Sequence, residues 1–284
     1  MPNTVERLNA AIADFVQEPR NSALLPGTGG YSTPFRGSLF GCTRAADVER
    51  ELMDRRASIL LLGSNPNCPE SLEHIRSTHA GVGDWPDFER QAATGYFGHA
   101  VTGEDGMMRG WDPLHDPGKM GPGQHAWTFF ADAVRAGLGS LDEVALANVL
   151  SWGSSDVRRL VQVLQEKDSN LLGRVLSFAD AQLETILRAL RPRLIICPKS
   201  VSDQRWARTL VISRKRAKGL LDVSPVNLTG RPYRMTLGEC VGNGSTYPIL
   251  FMNHPSSLRF IRQTEWPKIA NAIADAVGQV TVGV

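Results

Sequence analysis

The sequence predicts an α/β protein with three layers, α/β/α, built on a central, mostly parallel four-stranded sheet. Three observations carry this reading. Four short apolar runs, each bounded by turn residues, have the character of strands covered on both faces. Segments of helical periodicity lie between them, and such alternation builds parallel sheets. The chain has 284 residues, enough for a core that buries roughly 75% of the unfolded surface.

The elements follow in order. Residues 1–16 (MPNTVERLNAAIADFV) read as an amphipathic helix that carries acids, unlike a signal peptide. The first strand is Ser58–Leu62 (SILLL), and a helical pattern covers Gln124–Ala136. The second strand is Val144–Ala147, followed by helical patterns at Asp156–Glu166 and Asn170–Leu190. The third strand is Leu194–Cys197 and the fourth Pro248–Met252 (PILFM). The last helix is Glu265–Val277, with Pro267 tolerated in its first turn. Two stretches are loop-rich, Glu18–Cys42 and Asn65–Gly123. The second is long for a compact domain, and long loops there tend to carry function. The expected division is a helical and loop extension over 1–56 and a main domain over 57–284.

Composition excludes several classes. The 31 Lys+Arg and 29 Asp+Glu leave a net charge of +2, so any nucleic-acid surface must be local. No apolar run approaches the ~20 residues of a membrane span. Cys42, Cys68, Cys197 and Cys240 lie far apart without a CxxC, which argues against a zinc ribbon or a disulfide scaffold. The histidines lack metal-ligand spacing, so no metal is expected. Gly121–Ala126 fits GxGxxA before a helix, but no strand directly precedes it. The expectation is a soluble protein of a reducing compartment.

The strand ends are more informative. The first strand runs into Gly63-Ser64-Asn65-Pro66-Asn67 and the second into Asn148. The third is followed by Pro198-Lys199-Ser200, and the fourth by Asn253-His254-Pro255-Ser256-Ser257-Leu258-Arg259. Polar turn residues thus gather at the C-terminal edge of the sheet, where open α/β sheets bind ligands. Every strand must end in some turn, and Gly, Pro and Asn favour turns, so a single such end would carry little. Asn65 can hold a water but is no general base, so chemistry that uses it needs a reactive electrophile. The competing reading is a cap of the turn or of the next helix. Asn148 offers a donor and an acceptor, the pattern that reads the edge of a base. Leu258 beside Arg259 suits a wedge into a base stack with a phosphate anchor; ordinary core packing is the alternative for Leu258. Gln204–Leu221 holds six Lys/Arg and no acid, the one clear local positive field, although such a run is more often a solvated face.

Together these motifs resemble the uracil-DNA glycosylase superfamily. That family carries G-x-[DN]-P after its first strand and HPS or NPS after its last. Here these are Gly63-Ser64-Asn65-Pro66 and His254-Pro255-Ser256, and the Asn form is similar to the mismatch-specific, thymine-DNA and single-strand-selective branches. Thr94–His99, which contains Phe97, and Pro122–Leu138 are similar to two further segments of those branches. Residues 101–121 look inserted. The match spans about Ala57 to Val277.

The resemblance implies a uracil-DNA-glycosylase-like fold, with 57–284 as the catalytic domain. It further implies a monofunctional DNA glycosylase that flips a base from DNA and hydrolyses its N-glycosidic bond. Asn65 would position water and His254 would stabilise the departing base. Ser64, Asn67, Phe97 and Asn148 would line the base pocket. Lys199, Ser200, Arg214, Lys215, Arg216, Ser256, Ser257, Leu258 and Arg259 would hold the DNA. The uracil-only branch has Tyr where this chain has Asn67. The favoured substrate is therefore a 5-substituted pyrimidine, such as the hypermodified cytosine of phage DNA, which implies an antiviral defence role for a monomer in the bacterial cytoplasm, associated with the nucleoid. Uracil or G-mismatch repair, a catalytically inactive modified-base sensor and a nucleotide-binding protein using Gly121–Ala126 remain the alternatives.

Overall fold

A computed structural model describes residues 4–24, 35–36, 59–64, 101–102, 108–109, 144–153, 157–228, 231–254, 261 and 263–282. The helices are α1 (Thr4–Gln17), α2 (Val157–Lys167), α3 (Leu171–Leu190), α4 (Lys199–Ser202) and α5 (Trp266–Val282). The strands are β1 (Phe35–Arg36), β2 (Ile59–Gly63), β3 (Val101–Thr102), β4 (Met108–Arg109), β5 (Val144–Asn148), β6 (Trp152–Gly153), β7 (Leu194–Pro198), β8 (Lys218–Leu228), β9 (Arg231–Gly242) and β10 (Ser245–Met252). The predicted helix at Gln124–Ala136 lies outside the described residues.

The protein is mixed α/β around one six-stranded, mostly parallel sheet in the order β5-β2-β7-β10-β9-β8. The four strands read from sequence are β2, β5, β7 and β10. They are neighbours, and every pairing among them is parallel. Alternation along these strands divides the core in two. Leu60, Leu62, Ile195, Cys197, Ile249 and Phe251 pack with residues of α1, α2 and α3. Ile59, Leu61, Leu194, Ile196, Leu250 and Met252 pack with Ile269, Ile273 and Val277 of α5. Burial on both faces is what makes these strands continuous apolar runs.

The expected count of four strands is corrected to six. The added pair, β8 and β9, forms an antiparallel ribbon that extends the sheet beyond β10. Its outer strand is interrupted by irregularities of register at Lys218–Leu221 and Val223–Val226. Pro225 lies in the second, and proline is tolerated at such places on edge strands. These strands are exposed in part and carry charges, so they lack the apolar runs of the buried ones. Asn243 (φ 48°) and Gly244 (φ 76°) turn β9 into β10, the left-handed pair that a two-residue hairpin requires.

α3 has local reasons both to start and to stop. Asp168 accepts the Asn170 N–H at 2.8 Å just before α3. At the other end Arg191 is left-handed (φ 46°), donates its N–H to Leu187 O, and precedes Pro192, which cannot continue the helix. α1 is part of the core, with Leu8, Ile12 and Val16 buried in the α3 cluster. Phe15 stacks on Phe178 of α3 at 4.3 Å between ring centres.

Candidate functional site

The C-terminal edge of the parallel strands brings the described parts of all four strand-end motifs to one side of the sheet. In β2 and β5 the last paired residues are Gly63 and Asn148, directly opposite each other. Asn148 is a buried polar residue, and its Oδ1 lies 2.6 Å from where a Cβ on Gly63 would stand. Only glycine leaves room for the amide there, a packing requirement that sequence pattern does not reveal. The pairing continues past the strands: Val149 N–H donates to Gly63 O and Leu150 N–H to Ser64 O, both at 2.9 Å. Ser64, half-buried, is thereby held beside the Asn148 turn.

β7 ends at Pro198, paired with Met252 of β10, and α4 starts at Lys199. The Lys199 ammonium donates to the Arg234 carbonyl on β9 at 2.7 Å. In the strand order β10 stands between β7 and β9, so this side chain bridges past the end of β10. Burial, followed by the nearby Arg214 charge, lowers its pKa from the usual lysine value. Ser200 is exposed.

Two residues beyond β10 is His254, half-buried. Burial pushes its imidazole pKa down to about 4, so the ring is neutral at physiological pH. A neutral imidazole can donate one hydrogen bond to developing negative charge without bringing a charge of its own. β2 and β10 are separated by β7 alone, which places their ends roughly 10 Å apart at the usual strand spacing.

The cations expected to hold DNA differ in their surroundings. Arg214 pairs with Asp203 at 3.5 Å and donates to Thr236 Oγ1 at 3.4 Å; Thr236 in turn donates to Asp222 at 3.2 Å. Arg216 pairs with Asp180 of α3 at 3.4 Å and donates to the Thr209 carbonyl. Lys215 is exposed. Sequence reading missed Asp180, Asp203, Thr236 and Arg234, because their partners are distant in the chain and no local pattern marks them.

Asn65, Asn67, Phe97, Ser256, Ser257, Leu258 and Arg259 lie outside the described residues, as does Gly121–Ala126. Among the described residues no helix is long and apolar enough to cross a membrane. No protein-family model matches the chain, and no curated protein matches its sequence.

Proposed function

We propose that this chain is a monofunctional DNA glycosylase with a three-layer, uracil-DNA-glycosylase-like core to which β8 and β9 are an addition. The observation that carries the reading is the fit of Asn148 over Gly63 at the same sheet edge from which His254 emerges. The resemblance of the Gly63–Pro66 and His254–Ser256 motifs to that superfamily supports it.

In this reading a pyrimidine leaves the base stack, because its glycosidic bond cannot be reached inside the duplex. Asn148 hydrogen-bonds the base edge and Phe97 stacks on its face. The C1′–N1 bond breaks toward an oxocarbenium-like sugar. Asn65 directs water to C1′; the hydroxyl stays on the sugar and the proton ends on the released base. His254 donates a hydrogen bond to the departing base, a contribution of about 3 kcal/mol for a preorganised donor. Leu258 fills the vacated stack and Arg259 holds a phosphate. The chemistry calls for no cofactor. Asn67 in place of a bulky Tyr favours a 5-substituted pyrimidine, with hypermodified phage cytosine the leading candidate.

The test is one panel of duplexes carrying U, T opposite G, 5-hydroxymethyl-C and glucosylated 5-hydroxymethyl-C, read as alkali-labile abasic sites. Cleavage at the modified cytosines supports the full reading. Cleavage at U alone transfers the chain to uracil repair. Tight binding without abasic sites on any duplex would make it a sensor.

A further inference from the structure

The excess of basic over acidic residues is concentrated in one stretch. From Lys199 to Arg234 there are nine Lys/Arg and two Asp/Glu, a local charge of +7, which leaves the remainder of this +2 chain at −5. Six of these nine cations fall into two sets. Arg214 and Arg216 have internal carboxylate partners, Asp203 and Asp180. Arg205, Arg208, Lys215 and Arg234 are exposed, and no carboxylate among the described residues pairs with them.

The segment that carries most of them is a fixed strap. Ala207, Leu210, Val211 and Ile212 are buried in the α3 core cluster. Backbone turns recur along it, with Ala207 N–H donating to Gln204 O, Leu210 to Ala207, Ser213 to Leu210 and Arg216 to Ser213. Asp180 ties the strap to α3 through Arg216 and the Val211 N–H. Arg214 ties it to β9 through Thr236. Past Thr236, β9 has overrun the end of β10 and pairs with β8 alone, and Arg234 stands on that overhang. The Lys199 ammonium on the Arg234 carbonyl fastens the overhang to the sheet edge from which His254 emerges.

We propose that Arg205, Arg208, Lys215 and Arg234 are the phosphate-contacting surface for duplex DNA, and that Arg214 and Arg216 are positioning residues that hold this surface in place. The inference rests on the glycosylase reading for the identity of the polyanion. Exposed guanidinium groups on a rigid strap can meet phosphates without first breaking an internal ion pair, whereas Arg214 and Arg216 would have to give theirs up.

The experiment measures affinity of the full chain for a fluorescent 30-base-pair duplex across a salt series, with melting temperature recorded for each variant. R205Q/R208Q/R234Q should flatten the log Kd–log salt slope by about 0.9 for each phosphate no longer neutralised, with Tm unchanged. R214Q/R216Q should lower Tm and keep the slope. Asp180→Asn cuts the Arg216 tether without removing a cation and gives the same comparison if that double variant does not fold. An unchanged slope in the triple variant, with wild type binding DNA, overturns the surface and leaves the glycosylase reading standing. A slope flattened equally in R214Q/R216Q overturns the division of roles. Wild type that binds phosphatidylserine vesicles, or nothing, and no DNA overturns both proposals.

Discussion

His254 shows what burial does to one residue. Its folded pKa is about 4, against about 6.5 for a free imidazole. Between those values the unfolded chain binds the extra proton and the folded chain does not. Stability from the neutral ring is therefore complete above about pH 6.5 and is lost as pH falls toward 4. His254→Gln should reduce the pH dependence of stability within that window, as measured by urea denaturation at several pH values. In the glycosylase reading, base release should show no ionisation of His254 between about pH 5 and 8, and His254→Ala should slow single-turnover release by about 10²-fold. A protonation limb near pH 6.5 that disappears in His254→Ala would contradict the neutral donor. At Gly63 the constraint is steric. Gly63→Ala places a methyl group 2.6 Å from the Asn148 Oδ1, and such overpacking costs about 1–3 kcal/mol. Activity should fall further than stability does, because the amide must move. In an Asn148→Ala background the same change should cost much less stability, a coupling that a double-mutant cycle measures. The sequence marks Gly63 and Asn148 as strand-end residues; that one must be glycine because of the other depends on register.

At the scale of elements, α1 and the ribbon illustrate two kinds of long-range dependence. α1 is legible from its amphipathic pattern, but its docking rests on a polar clasp. Asn21, fully buried, donates from Nδ2 to Phe15 O at 2.9 Å and accepts from Arg174 Nε at 2.9 Å. Arg174 also donates to Arg20 O at 2.6 Å and pairs with Asp168 at 2.7 Å. Removing Asn21 leaves the Phe15 carbonyl and the Arg174 guanidinium short of partners. Asn21→Ala should cost about 1–3 kcal/mol, read as a shifted denaturant midpoint; a midpoint equal to wild type would show that α1 docks through its apolar face alone. The ribbon carries a signal of its own, since Asn243-Gly244 is a strong hairpin marker. It stays hidden when strands are sought only as apolar runs, because alternating residues on β9 are polar or charged.

For the whole molecule, the separation of charge matters more than its sum. A net charge of +2 gives no expectation of polyanion binding. A stretch at +7 against a remainder at −5 gives the molecule a strong charge asymmetry, and local fields of that kind steer association. The protein should be retained on heparin at low ionic strength, and charge reversal by Arg205→Glu and Arg208→Glu should bring its elution to lower salt. Elution in the flow-through would show that the acidic remainder cancels the field. The sequence by itself determined the four parallel strands, the helices α2, α3 and α5 and the polar residues that end the strands, because each is written in local periodicity and turn chemistry. Tertiary structure decided the strand order, the Gly63–Asn148 contact, the depth of His254 and which arginines have internal partners. Those properties depend on residues far apart in the chain meeting in space, and desolvation and ion pairing act only between groups that the fold has brought together.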